Sequence, residues 1–344
     1  MKLPRPLGSI AAAWLLVSGC AGGTGAVDLK QLPVAPVALL YREEALAMQR
    51  LDAIHDLEKR STPSQREGMV VRVETLDGIF GGAPDAQRRL ADTAGHFAFF
   101  DPHEGEVEVV KGAPPGAKPL AWSPDRTKLL LTGRFRDTLQ LFLWERATGQ
   151  VEIVSAGPHD HPMGCIGPGG RLVAVEARRV QGQYVGNLLA TPPGSAAGLR
   201  PVTPGPSDVL PACSPNTSLV AYVTADDDGV LNVAVRDIDD PSSAPRMIAR
   251  GTTPVFTPDG AWIVYSAIGT RGNRLFRVRP DGSGRTPIGS GTSDETNPTV
   301  SPDGGYVAYV GTDENERERL RVRRFDGTGD RPFLTDGDAD APVW

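Results

Sequence analysis

The chain has 344 residues, 40% of them hydrophobic and 23% charged, and a formal net charge of −6. The acidic balance argues against nucleic acid as a partner, and 40 glycines with 31 prolines suit many short strands joined by turns. One large β-domain accommodates this length, so no second core is required.

Lys2 and Arg5 precede an apolar run from Leu7 to Val17, and small residues lead on to Cys20. A core of eleven residues is too short for a permanent transmembrane helix and reads as a signal peptide over residues 1–19. Val17, Ser18, Gly19 and Cys20 together resemble the lipobox of bacterial lipoproteins. That resemblance implies export, cleavage before Cys20 and lipidation of Cys20 with palmitate-type chains. With Ala21 next, in place of Asp, it also implies anchoring at the outer membrane of a Gram-negative cell. Acyl chains contribute roughly 0.8 kcal/mol per buried methylene, so several together hold a domain on a bilayer. The competing reading is an ordinary cleavable leader whose cysteine stays free.

Residues 20–36, with Gly22, Gly23 and Gly25 near the start, read as an acylated cysteine and flexible tether. Residues 37–62 read as a helical segment: Leu40, Ala47, Leu51 and Ile54 recur at helical spacing, and Ser61, Thr62 and Pro63 end it. Such a helix lays its apolar stripe across the following domain, or else serves a partner.

Strands begin at Met69–Thr75 and continue at His96–Phe100. From there a unit repeats. In its plainest form Pro298, Thr299 and Val300 enter Ser301-Pro302-Asp303-Gly304, and Tyr306 to Val310 leave it as a strand apolar on both faces. Pro254 to Tyr265 is a close copy, and Leu120 to Leu131 is another. Ala212 to Val223 and Cys165 to Val175 are worn versions. The turn prolines fall at 124, 168, 215, 258 and 302, separated by 44, 47, 43 and 44 residues. A period of that size with about four short strands per unit means propeller blades. Asp340 to Trp344 repeats Asn297 to Val300 another 44 residues on, and this supplies an inner strand without the rest of a blade. The expectation is an all-β, six-bladed propeller over 63–344 in which Pro342–Trp344 completes the blade begun at Met69.

The Pro-x-apolar-Ser-Pro-Asp-Gly unit, with Leu275 to Val278, Asp281, Gly282, Leu334 and Thr335 behind it, resembles the propeller repeat of the TolB family, found also in prolyl oligopeptidases. The resemblance covers about four-fifths of the chain and implies fold more than function. TolB carries an α/β domain ahead of its propeller, and only some 45 residues stand in that position here, so a Tol–Pal role does not carry over. Prolyl oligopeptidases carry a hydrolase domain for which no room remains.

By the same resemblance, the loops before the inner strands ring one mouth of a central channel. They hold Asp160, Asp208, Asp294 with Glu295, and Asp338 with Asp340. Converging carboxylates call for calcium, another divalent cation or a basic segment of a partner, whereas isolated ones merely make Asx turns. His159, Asp160 and His161 form the one cluster with metal-ligand character. No Gly-x-Ser-x-Gly elbow is present. Cys213 stands two residues before its turn proline and Cys165 three, which sends their side chains to opposite faces of equivalent strands. Two buried thiols are therefore expected in place of a disulfide.

Two functions follow. One is a membrane-tethered, monomeric, non-catalytic platform for an envelope protein, peptide or glycan. The alternative is a metal-dependent envelope hydrolase or lyase that uses the propeller funnel through His159 and His161.

Overall fold

A strand that is apolar on both faces needs a covering sheet on each side, and a ring of sheets supplies one without end. The computed structural model describes residues 25–50, 52, 95–180, 183–193, 198–240, 242–269, 272–291, 294–313 and 317–344. They form six four-stranded antiparallel sheets. The first holds β1 (Val37–Arg42), β2 (His96–Phe100) and β3 (Val107–Val109). The second is β4 (Lys118–Trp122), β5 (Lys128–Phe135), β6 (Thr138–Glu145) and β7 (Val151–Ile153). The third is β8 (Gly164–Ile166), β9 (Leu172–Val180), β10 (Gln183–Ala190) and β11 (Arg200–Pro201). The fourth is β12 (Val209–Cys213), β13 (Leu219–Ala225), β14 (Leu231–Asp237) and β15 (Arg246–Arg250). The fifth is β16 (Thr252–Phe256), β17 (Ile263–Ile268), β18 (Asn273–Val278) and β19 (Thr286–Pro287). The sixth is β20 (Glu295–Val300), β21 (Tyr306–Thr312), β22 (Glu318–Arg324) and β23 (Arg331–Pro332). The last strand, β24 (Asp338–Val343), pairs with β1 and gives the first blade the order β24-β1-β2-β3.

The repeated turn is built by its hydroxyl. Ser301 Oγ donates to Asp303 and accepts from Tyr306 N at 2.9 Å, while Gly304 takes φ 74° and donates to Ser301 O at 2.8 Å. Ser123 with Asp125 and Thr257 with Asp259 repeat this arrangement. That is why the motif needs Ser or Thr before Pro and Asp after it. Between blades, Tyr222, Tyr265 and Tyr309 occupy equivalent second-strand positions and are fully buried. The turns define one face of the disc, here the turn face. The loops that lead into the inner strands define the opposite, entry face.

The ring closes on its last strand as the repeat predicts, but with a different partner. The strand beside β24 is Val37–Arg42, with Ala38 opposite Val343 and Leu40 opposite Asp340, whereas Met69–Thr75 lies outside the described residues. Leu40 therefore belongs to a strand, and α-helix is confined, among the described residues, to 44–50 and Asp52. Val37, Ala38, Leu39 and Leu40 form a short run buried throughout, which periodicity alone does not separate from one turn of a helix. The propeller thus begins ahead of the expected residue 63.

The stretch expected to be a free tether is likewise docked from residue 25. Val27 and Leu32 are buried beside Phe333, Leu334 and Trp344, and Val27 N donates to Gly329 O at 2.8 Å.

Cys165 and Cys213 are joined in a disulfide, with their Cα atoms 5.5 Å apart, in place of the expected pair of thiols. Adjacent blades stack front to back. Side chains that leave opposite faces of equivalent strands therefore point at each other, and the sequence offset that argued against the bridge is the one that permits it.

Candidate functional site

The six inner strands β4, β8, β12, β16, β20 and β24 surround a central channel of about 370 Å³. Its wall is largely proline and apolar side chain. Pro119, Pro211, Pro254, Pro298 and Pro342 contribute toward the entry mouth, and Pro124, Pro215, Pro258 and Pro302 toward the turn mouth. Immediately before four of these prolines stand Leu210, Thr253, Asn297 and Ala341, with φ of 51°, 49°, 47° and 49°. Each lies in a stretch where the inner strand slips register against its neighbour, so one left-handed residue per blade bulges the strand at the channel wall. A non-glycine residue held there costs on the order of 1 kcal/mol or more, and such strain recurs at ligand sites.

Lys118 and Arg126 are the charged side chains on the lining, which among the described residues has no Asp, Glu or His side chain. Arg126 sits at the turn mouth over the Trp122 ring, 5.0 Å from its centroid, and donates to the main-chain oxygen of Trp344 at 2.9 Å. Burial, helped by the neighbouring Arg146, brings its pKa down to about 10.

The six carboxylates expected at the mouth are placed differently, for none of them reaches the lining. Asp160 accepts from Leu139 N at 2.7 Å and Asp294 from Asn273 N at 2.7 Å, in each case the main chain of the blade before. Glu295 is buried and accepts from Ser290 N at 2.9 Å, Leu275 N at 3.2 Å and the guanidinium of buried Arg323 at 2.7 Å. Asp208 accepts from Gly205 N at 3.0 Å within its own loop. Asp338 meets Arg42 at 3.1 Å, and Asp340 meets Lys118 at 3.5 Å and Asn297 Nδ2 at 2.7 Å. Open backbone N–H groups and buried cations at the blade junctions hold Asp160, Asp294, Glu295 and Asp338 away from the axis, whereas Asp340 stays beside Lys118 and Asn297 of the lining.

No protein-family model matches the chain, and no curated protein sequence does. Solved structures do. A putative TolB from Agrobacterium tumefaciens is 23% identical, with 70% of this chain and 88% of that one superposed at a TM-score of 0.56. TolB from Acinetobacter baumannii is 15% identical over 73% of this chain at a TM-score of 0.58, and the match spans 62% of that protein. The fold is a TolB-like propeller. An oligogalacturonate lyase in complex with manganese is also similar, at 15% identity, 69% and 70% coverage and a TM-score of 0.50. At these identities the likeness is one of architecture.

In this TolB-like propeller the histidine cluster lies at the junction of the second and third blades, away from the channel. His161 is buried with Nδ1 3.1 Å from Gln140 Oε1, and Gln140 Nε2 donates to His159 O at 2.9 Å. Burial lowers the His161 pKa, against the opposing pull of Glu176 and Asp160. Among the described residues, no group of three or more His, Cys, Asp and Glu stands as a metal-holding set. Cys20 lies outside the described residues, and among those described no helix is long and apolar enough to cross a membrane.

Sequence reasoning missed Arg42, Arg323 and Gln140, which partner the named carboxylates and histidines. Arg42 and Gln140 are polar residues in otherwise apolar strands, and that is the signal that points to them, whereas Arg323 sits in the charged strand β22 and carries no such signal. It missed the four bulges as well, although Leu210, Thr253, Asn297 and Ala341 each precede a proline at the repeat spacing.

Proposed function

We propose that this protein is a membrane-tethered, non-catalytic propeller that offers its central channel to a protein or peptide partner in the bacterial envelope. The observation that carries the reading is the lining of the channel. It is walled by proline and apolar side chains, bulged main chain is turned toward it, and its described residues supply two cationic side chains but no acid–base or nucleophile–base pair. Such a wall suits an extended chain with apolar side chains and carbonyl or carboxylate groups. Anchoring through Cys20 would hold the platform at the outer membrane.

The test is affinity capture of the acylated protein from its own envelope, comparing the parent with Ala212→Trp, which fills the channel, and Asp227→Ala at an exposed hairpin tip. The captured partner is expected to persist with the tip variant and to vanish with the filled channel. Equal capture by all three would refute channel binding. A stoichiometric transition metal in the purified protein, lost on His161→Ala, would favour the metal-dependent lyase or hydrolase instead.

A further inference from the structure

The first of the described residues are held in place on one face of the disc. Gly25 O accepts from Arg324 Nη1 at 2.9 Å, Val27 N donates to Gly329 O at 2.8 Å, and Val27 O accepts from Arg331 Nη1 at 3.1 Å. Arg324 ends β22 opposite Tyr306, the residue that leaves the Ser301–Gly304 turn, so this anchorage lies on the turn face at the sixth blade. From Gly25 the chain stays on that face until β1 starts at Val37, near Trp344, whose Nε1 donates to Ala35 O at 3.1 Å.

Cys20 is five residues from Gly25. Fully extended, five residues reach about 18 Å. The disc is at least as thick as that: β22 alone has seven residues, about 20 Å at roughly 3.3 Å per residue. A lipid on Cys20 therefore reaches a bilayer on the turn side with slack in the chain, whereas passing the rim to the entry side would take up the whole length of the leash.

Resting on the reading of Cys20 as an acylated anchor, we propose that the propeller sits with its turn face against the lipid surface at the sixth blade. The entry face, where Lys118 stands at the channel mouth, is then the one turned to partners. Two side chains of the docked segment fit a bilayer interface. Val34 is an apolar residue 88% exposed on the turn side, and Lys30 is an exposed cation four residues before it, suited to anionic headgroups. On the entry face the hairpin tips carry Phe135, 40% exposed, and Ile268, 85% exposed, which this orientation leaves free for a protein.

The experiment uses the full-length acylated protein in vesicles of phosphatidylethanolamine and phosphatidylglycerol. A photo-reactive phenylalanine analogue is placed in turn at Val34, Asp303, Phe135 and Asp227, and lipid adducts are counted by mass spectrometry. Adducts are expected at Val34 and Asp303 at least tenfold above Phe135 and Asp227, and equal or reversed yields would overturn the orientation. Twenty Gly/Ser residues inserted between Ala21 and Gly22 should bring the yields toward parity. A bias untouched by the longer leash would defeat the argument from its length. Intact mass separates the two levels: an unacylated Cys20 overturns the anchored reading and this one with it, whereas acylated protein with unbiased adducts overturns the orientation alone.

Discussion

The guanidinium of Arg42, in the strand that opens the propeller, lies 3.1 Å from the carboxylate of Asp338, in the strand that closes it. Arg42 is fully buried and also meets Glu318 at 3.1 Å and Asp340 at 3.9 Å. Burial alone would raise the pKa of Asp340, but Lys118 and Arg42 outweigh it and hold the carboxyl below its usual range. Burial prevails at Asp338, whose pKa is pushed up against the pull of Arg42. The seam of the ring is thus stitched by charge as well as by backbone hydrogen bonds.

Removing one member of a buried ionic cluster leaves the other uncompensated, which costs about 3–5 kcal/mol, whereas replacing both with apolar groups is often near neutral. Arg42→Met should therefore destabilise the fold by about that amount. Adding Asp338→Leu to it should restore part of the loss. Chemical denaturation of the single and double variants checks both outcomes, and equal stability of Arg42→Met and the parent would show that the cluster does not hold the seam.

Trp344 closes the same seam from the apolar side. It is 3% exposed, packs on Phe333 with ring centroids 5.2 Å apart, and its N donates to Thr299 Oγ1 at 2.9 Å. Trp344→Ala should cost about 3–5 kcal/mol. Deletion of Pro342–Trp344 should also bare the edge of β1, so lowered melting temperature and aggregation on heating are expected together, read by calorimetry and light scattering.

The Cys165–Cys213 bridge ties the third blade to the fourth across 48 residues of sequence. In the chain-entropy account a loop of that length stabilises by about 3–5 kcal/mol. Replacing both cysteines by Ser, or adding a reductant, should lower the melting temperature. Thiol titration of the unfolded protein should find no free thiol at 165 or 213 before reduction.

His161 gives stability a pH dependence of predictable sign. An unfolded histidine titrates near a pKa of about 6.5, and burial lowers that value in the folded state, so the unfolded chain binds the extra proton first. Stability is fully present above about pH 6.5 and falls as pH drops through that value toward the lower folded pKa. His161→Gln should flatten this slope in urea denaturation series between about pH 5 and 7.

The fold was largely legible because its signals are local and repeated. Ser301, Pro302 and Asp303 encode a turn through contacts within a few residues, and the 44-residue spacing carries the same turn from Pro124 to Pro302. The first blade was read less well. Val37–Arg42 is a single buried strand without a turn motif of its own, and only its pairing with β24 identifies it. The site was the least legible part. Asp160 and Asp294 stand at matching points of their repeats, yet their partners, Leu139 N and Asn273 N, lie 21 residues away on the preceding blade.

What the amino-acid order decided by itself is the unit: where each turn falls, at what spacing it recurs, and that residues 340–344 repeat its inner strand. Those features rest on short-range sterics and on hydroxyl and carboxylate groups that bond within the same turn. What only the tertiary structure decided is which surfaces meet: β1 beside β24, Cys165 opposite Cys213, Arg42 among its carboxylates, and residue 25 on the turn face. Each depends on blades stacking front to back around an axis, and spacing along the chain carries no term for the distance between neighbouring blades.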